Sequence, residues 1–441
     1  MSFFQLAALF VTLVALGGWL NVRTLKLPHG VAMLFVGIAG ALILFALQRV
    51  GLGGAAALTA AIGRFDFSRT VLGYLLGFLL FAGAMQVDLS ELRRRRLAVW
   101  TLATLGVVAS TGIVGLGVWL AAGWLGLALP LPWALVFGAL ISPTDPVAVL
   151  ATVRRGQLSK TLRVVLQGEA LFNDGVGIVL FTALLAFATG AAPSPSQALF
   201  QVVLQAAGGL ALGLIAAVIV IRAMRVIDDY VVEVSLSLAL AMGCYAAAQG
   251  LHLSGPIAVV GAGLLMGASR NDGVMSETTR QHLSHFWTLI DELLNAVLFF
   301  LLGLELLVIP LQPREAGLAI AAIALVVAAR AVVVLPWGAY FHLREEERGA
   351  GTILVWGGLH GALSLALALS IPASPNRPVV LAITYAVAAF SVAVQGVTFG
   401  SVARLAALRR RPRRAAAPKP DADDASKDAG QAGARAAKPP V

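Results

Sequence analysis

Long apolar runs separated by short polar or basic loops form the dominant pattern of this chain. Each run is about twenty residues long, which is the length at which an α-helix crosses the hydrocarbon core of a bilayer. The pattern predicts an all-α membrane protein with about thirteen transmembrane helices. The predicted spans are 3–20, 31–48, 70–87, 97–122, 132–152, 163–190, 197–221, 231–250, 255–269, 285–309, 315–341, 351–371 and 378–402.

Composition supports a membrane protein over a soluble one. The chain is 59% hydrophobic and only 12% charged, whereas an average soluble domain is about a quarter charged. A net charge of +10 could suggest nucleic acid, but the basic residues lie mainly in short loops and in the C-terminal tail. Membrane topology explains that charge better, so no nucleic-acid partner is expected. The first apolar run has no basic leader, which favours an uncleaved span over a signal peptide.

The distribution of Lys and Arg predicts the orientation. With the N-terminus outside, most of the 32 Lys and Arg residues fall in cytoplasmic loops or in the tail. We therefore expect an odd number of spans and a cytoplasmic C-terminus. The chain divides into a transmembrane domain, residues 1–403, and a basic tail, residues 404–441, with the composition of a disordered segment. The basic start of the tail is expected to contact lipid headgroups.

Two of the predicted spans are interrupted. The fifth reads WALVFGALISPTDPVAVLAT, with Pro143 and Pro146 flanking Thr144 and Asp145. Prolines free backbone carbonyls at membrane depth, and freed carbonyls beside a carboxylate favour cation binding. Span twelve is interrupted by glycines around His360, and a faint repeat at an offset of roughly 215–225 residues places the breaks opposite each other in inverted halves. Paired breaks of this kind indicate an alternating-access transporter.

The sixth span supplies further candidate ligands, Glu169, Asn173 and Asp174. Asp174 lies about 140° around the helix from Glu169, so the two acids are expected to have different roles. A charge at the centre of a span costs about 2.5–3.5 kcal/mol on insertion scales, which favours a functional reason for keeping it. For Asp145 the alternative is a proline kink whose aspartate caps a half-helix. Carboxylates, a threonine and freed carbonyls suit a hard cation such as Na⁺.

Arg330 is the basic side chain that lies deep in a predicted span. It requires a buried acidic partner, for which Glu169 is the candidate, unless its side chain snorkels to the membrane surface. His360 has two open interpretations, a supporting polar or proton-linked role at the break and a satisfied core residue.

The predicted span ten contains three more acids. Asp291 and Glu292, near its predicted start, are interpreted as loop charges or as charges at a cytoplasmic mouth that attracts cations. Glu305, near its outer end, is predicted to be solvated.

Through these residues and the motifs around them, the chain resembles the monovalent cation:proton antiporters, specifically the sodium/proton exchanger branch that includes bacterial NhaP-like proteins. The motifs SPTDPVAV, GEALFNDGVGIVLF, SGPIAVVGAGLLMG, FFLLGLEL and WGGLHGALSLALALSIP occur in the family's order and spacing over nearly all of residues 5–402. The resemblance implies a thirteen-helix homodimer of a bacterial inner membrane, with a core domain that moves against a dimerisation domain. It also implies exchange of Na⁺ for protons without a cofactor or ATP.

Carried over by position, the resemblance assigns binding of the cation or the proton to Asp174. Asp145 and the Thr144 carbonyl are then its partners in the break, so a transported Na⁺ is expected at these three residues. Asn173 stands where the electrogenic branch has a second aspartate. The resemblance therefore implies electroneutral, one-for-one exchange.

The resemblance also places Glu169 and Arg330 at the positions of the family's buried ion pair, in agreement with the charge argument. Two positions depart from the family. His360 replaces a usual arginine, so a fixed positive charge becomes a titratable one. Ala170 stands where many members have a serine hydroxyl, which removes one possible cation ligand.

The leading hypothesis is a sodium/proton antiporter that uses the proton gradient to expel Na⁺ or Li⁺. A potassium/proton antiporter is the alternative within transport, because selectivity depends on fine ligand geometry. An intramembrane protease would need an HExxH motif or a Gly-x-Ser paired with a histidine, and the sequence shows no convincing example. A passive channel is disfavoured because a channel does not need a titratable acid to hold its ion.

Overall fold

The structure is a computed structural model in which nearly all the residues described are helical. It describes residues 3–51, 53–63, 67–145, 149, 158–190, 195–269, 275–305, 313–345 and 347–408. Within these ranges the β-type pairing is limited to one isolated antiparallel bridge, between Asp145 and Leu359.

The first half of the chain forms eight helices: α1 (Phe3–Arg23), α2 (His29–Arg49), α3 (Gly53–Gly63), α4 (Phe67–Gln86), α5 (Leu89–Arg94), α6 (Arg96–Trp124), α7 (Leu131–Ile141) and α8 (Lys160–Ala188). The second half forms nine: α9 (Pro195–Met224), α10 (Tyr230–Gly250), α11 (Gly255–Ser269), α12 (Glu277–Leu304), α13 (Ala316–Glu345), α14 (Ala350–Trp356), α15 (Ala362–Leu369), α16 (Arg377–Phe390) and α17 (Val397–Leu408). Turns of π-helix interrupt α4 and α6 and join α16 to α17.

The prediction of an all-α, multi-pass membrane protein is confirmed. Ten helical segments among the described residues are long and apolar enough to cross a membrane when α16, its π-helical turn and α17 are counted as one, and α7 and α11 are shorter apolar helices. Each predicted span contains helix, but the fifth and the twelfth are non-helical at their breaks, and residues 146–148 and 150–152 of the fifth and 306–309 of the tenth lie outside the described residues. The number thirteen and the inverted relation of the halves stay predictions. The short helix α3 was not predicted.

Two predicted boundaries move. The helix α12 begins at Glu277, eight residues before the predicted start at 285. The Ser276 side chain caps it by accepting a hydrogen bond from the Thr279 amide at 3.3 Å, and the first turns are too polar for a hydropathy window to detect. The helix α17 continues to Leu408, past the predicted start of the tail at residue 404. The rest of that tail, residues 409–441, lies outside the described residues.

The helices pack into two groups, which we call the core group and the scaffold group. In the core group α6, α7, α8 and α13 to α17 contact one another; in the scaffold group α1, α2, α4 and α9 to α12 do so. Membrane helices associate through close packing, because lipid offers no hydrophobic driving force between them. The crossing of α2 and α12 illustrates this: a Cβ added to Gly37 would lie 2.2 Å from the Phe300 carbonyl oxygen.

Candidate ion-binding site

The two interrupted spans meet at their breaks. After α7 ends, the chain is non-helical through Asp145, whose backbone amide donates to the Leu359 carbonyl at 2.7 Å. Leu359 lies in the gap between α14 and α15. Gly361, in the same gap, leaves room for the carboxylate, because a Cβ there would lie 2.8 Å from Asp145 Oδ2. The backbone of each break therefore holds the other in place at membrane depth.

Polar side chains bond to backbone carbonyls beside the first break. Ser142 Oγ donates at 2.6 Å to the Gly138 carbonyl, which also accepts the Ser142 amide at 3.1 Å, and His360 Nδ1 lies 3.0 Å from the Pro143 carbonyl oxygen. His360 is buried behind the break and does not line the large cavity described below. Gly177 on α8 makes room for the proline, since a Cβ there would lie 2.2 Å from Pro143 Cγ. The sequence thus supplies both the break and the groups that stabilise it.

Asn173 fixes the position of Thr144. The Asn173 amide donates from Nδ2 to Thr144 Oγ1 at 3.0 Å, and the Thr144 backbone amide donates to Asn173 Oδ1 at 3.4 Å. The two residues are 1% and 5% exposed. A neutral side chain therefore bridges α8 and the break, next to Asp174.

A cavity of about 330 Å³ opens beside the crossing breaks, between the core group and the scaffold group. Four carboxylates line it, those of Asp145, Asp174, Asp291 and Glu292, and none of the lining residues that the structure describes is basic. The cavity extends from the breaks toward the side of the molecule where α4 ends and α8 begins. Asp145 interacts electrostatically with both Asp174 and Asp291. Such a cleft concentrates cations.

Glu169 faces away from this cavity and pairs with Arg330. Both guanidinium Nη atoms donate to the Glu169 carboxylate, with 2.9 Å for the bond from Nη2, and Nε donates to the Leu354 carbonyl at 3.1 Å. Glu169 is 2% exposed and Arg330 is 8% exposed. Arg330 therefore does not snorkel, and the charge of Glu169 is compensated inside the core group.

The structure brings most of the predicted residues together. Asp145, Thr144 and Asp174 line the same cavity, as does Ala170. The supporting residues Asn173, Glu169, Arg330 and His360 surround the break on the protein side. Their roles in transport stay predictions.

Two expectations for the span-ten acids change. Asp291 lies fourteen residues after the first residue of the 28-residue helix α12, in contact with Gln86 and Asn295. It is therefore not a loop charge, and its interpretation as a charge at a cytoplasmic mouth stays a prediction. The prediction that Glu305 is solvated was wrong: the residue is only 9% exposed. Hydropathy alone did not show that packing at the end of α12 buries it.

Comparison with known proteins gives the family. The family model described as "sodium/hydrogen exchanger, transmembrane" matches residues 10–405. The chain belongs to the sodium/hydrogen exchanger family. Among similar members, the Na⁺/H⁺ antiporter NhaP of Pseudomonas aeruginosa is 40% identical over 91% of this chain and 96% of its own length. The Na⁺/H⁺ antiporter NhaH of Halobacillus aidingensis is 36% identical over 76% of this chain and 83% of its own length.

A solved structure has the same fold as this exchanger-family chain. The sodium proton antiporter MjNhaP1 of Methanocaldococcus jannaschii, at pH 8, superposes with a TM-score of 0.66 over 93% of this chain and 99% of its own. The sequence identity is 19%, so this likeness establishes the fold and not the activity.

Proposed function

We propose that this chain is a sodium/proton antiporter of a bacterial plasma membrane. The observation that carries the proposal is the cavity at the crossing breaks. Four carboxylates line this cavity, and none of its described lining residues is basic. Membership of the exchanger family supports it, and the relatives named above are Na⁺/H⁺ antiporters, which favours Na⁺ over K⁺. The proposed activity is transport driven by the proton gradient, and it needs no catalytic chemistry.

Asp174 is the carrier in this proposal. A cation and a proton compete for its carboxylate, and whichever is bound crosses the membrane with the core group. Asp145, Thr144 and a backbone carbonyl of the break complete the cation coordination. Oxygen ligands of this kind suit Na⁺ or Li⁺, and the described residues contain no group of three or more His, Cys, Asp and Glu side chains placed to trap a metal.

The surrounding charges favour one-for-one exchange. Asn173, the neighbour of Asp174, is neutral, and Glu169 is compensated by Arg330. Asp174 is then the carboxylate that changes partners in each cycle, carrying one Na⁺ in one direction and one H⁺ in the other, without the second acid that the electrogenic branch has at the position of Asn173. Net charge movement is zero, so we expect exchange to be electroneutral.

The cavity faces the cytoplasm in the orientation we propose. Its lining includes Gln86 at the last residue of α4, which precedes the arginine run at residues 93–96, and Gln167 in the first two turns of α8, which begins at Lys160; basic residues concentrate on the cytoplasmic side. The structure then represents an inward-open state, ready to take Na⁺ from the cytoplasm. Movement of the core group against the scaffold group would open the breaks to the outside. A homodimer joined through the scaffold group fits this movement.

The proposal is tested in proteoliposomes that contain the purified protein and a pH-sensitive dye. Imposed gradients of Na⁺, Li⁺ and K⁺ are compared over a range of pH. We expect proton movement with Na⁺ and Li⁺, little with K⁺, and a rate that does not change when valinomycin clamps the membrane potential. Proton movement with K⁺ alone would make the protein a potassium antiporter, and a clear voltage dependence would refute electroneutral exchange.

A further inference from the structure

Asp291 is held in a fixed position on the wall of the cavity. Asn295 Nδ2 donates to Asp291 Oδ1 at 2.9 Å and to the Asp291 carbonyl at 2.8 Å, while Gln86 Nε2 donates to Oδ2 at 3.3 Å. These contacts come from α12 itself and from the end of α4, both in the scaffold group. The carboxylate is thus oriented from two sides, and carboxylate oxygens have further lone pairs that a cation can occupy.

The neighbouring acid provides a contrast. Glu292 also lines the cavity, but it is exposed. Its charge adds to the negative potential of the mouth, as any exposed acid would. Asp291 is partly buried, lines the cavity and interacts electrostatically with Asp145 of the first break.

Three aspartates share the cavity. Asp145 interacts electrostatically with both Asp291 and Asp174, and all three line the same space. Asp291 belongs to the scaffold group, whereas Asp174 and Asp145 belong to the core group or to its break. If the core group moves during transport, Asp291 stays behind. It can therefore meet the cation on the cytoplasmic side but cannot accompany it.

We propose that Asp291, oriented by Gln86 and Asn295, is the first docking carboxylate for a hydrated alkali-metal cation entering from the cytoplasm, and that it passes the cation to Asp145 and Asp174. This inference rests on the proposed antiport and deepens it. The cavity is large enough for a cation that keeps most of its water shell at Asp291, whereas the narrow break requires protein oxygens to replace that water. Asp291 then determines how readily Na⁺ is captured, and Asp174 determines how fast it is carried.

The test separates capture from carriage. Exchange is measured in proteoliposomes with Na⁺ varied on the cytoplasmic face, for the wild type, Asp291→Asn and the matched control Glu292→Gln. We expect Asp291→Asn to raise the apparent KM for Na⁺ about tenfold, while the maximal rate stays within about twofold of the wild type. Glu292→Gln should raise KM less, and choline chloride should abolish its effect, because salt screens an exposed charge. The effect of Asp291→Asn should persist in choline chloride.

Two further variants test the geometry. Asp291→Glu keeps the charge and should restore part of the lost affinity, and Gln86→Met removes one orienting contact and should raise KM by an intermediate factor. An unchanged KM in Asp291→Asn would overturn the inference, as would an effect that choline chloride abolishes or a fall in maximal rate with unchanged KM. Absence of exchange in the wild type would instead refute the proposed function itself.

Discussion

The buried pair of Glu169 and Arg330 yields a quantitative prediction. Glu169→Gln keeps the size of the side chain but leaves the guanidinium at 8% exposure without a counter-charge. It weakens two hydrogen bonds to the carboxylate and leaves the one from Nε to the Leu354 carbonyl. Breaking a buried pair by changing one partner costs about 3–5 kcal/mol, because the remaining charge is desolvated and uncompensated. We expect a loss of this size.

The assay is thermal unfolding of the detergent-solubilised protein. On the scaling of soluble proteins, an unfolding entropy of about 2.1 cal/mol/K per residue means that 3–5 kcal/mol lowers the melting temperature of a chain of this length by about 3–5 °C. Changing Arg330→Gln as well removes the uncompensated charge, so the double variant should melt above Glu169→Gln. The control Glu277→Gln breaks an exposed contact with Arg280 and should cause little change.

Additivity is the result that would refute this reasoning. If the two single changes lower the melting temperature independently and their effects add in the double variant, the residues are not energetically coupled. The distances in the structure would then not represent a stabilising pair.

Three further predictions concern the break and the loop near α5. His360→Arg should shift the pH profile of exchange, because a fixed charge replaces a titratable group, and an identical profile would leave His360 a purely structural role. Gly361→Ala should slow exchange at unchanged protein yield by displacing the Asp145 carboxylate, whereas Gly112→Ala, where no atom lies within 4 Å of the added Cβ and which does not line the cavity, should not. Asp88→Ala should destabilise the protein by about 1 kcal/mol through loss of the α5 cap. The Lys160 ammonium, with hydrogen bonds from Ser90 and from the backbone amide of Glu91, holds the Asp88 pKa well below its usual range. The stability that ionised Asp88 contributes is therefore complete above its unfolded pKa of about 4 and is lost as the pH falls through the folded pKa. Melting curves should thus show the same difference in melting temperature between the wild type and Asp88→Ala at pH 6 and at pH 8. Unequal differences at these two pH values would contradict the prediction.

Hydrophobic patterning was sufficient for the helices but not for all their ends. The apolar runs predicted every main span, because the bilayer imposes both a length and a composition. The first turns of α12 were missed because they are amphipathic, and this misplaced Asp291 near the start of a span. The place of Asp291 in the cavity wall depends on how α12 packs beside α4, which the pattern of the chain does not show.

The candidate site was easier to predict than its surroundings. Prolines beside Asp145 and glycines beside His360 are local signals of broken helices, and charge balance alone suggested the partner of Arg330. The contact between Gln86 and Asp291 joins residues 205 positions apart. No periodicity in the sequence records such a contact, because it depends on how α4 and α12 pack.

The most direct test of the account is Na⁺-driven proton movement by Asp174→Asn in proteoliposomes. The matched control is Asp229→Asn, the same chemical change at an exposed helix cap outside the cavity, where asparagine also caps well. We expect Asp174→Asn to assemble in the membrane with the yield of the wild type and to show no exchange, while Asp229→Asn retains it. Exchange by Asp174→Asn at the wild-type rate would contradict the central claim that this carboxylate carries the cation and the proton.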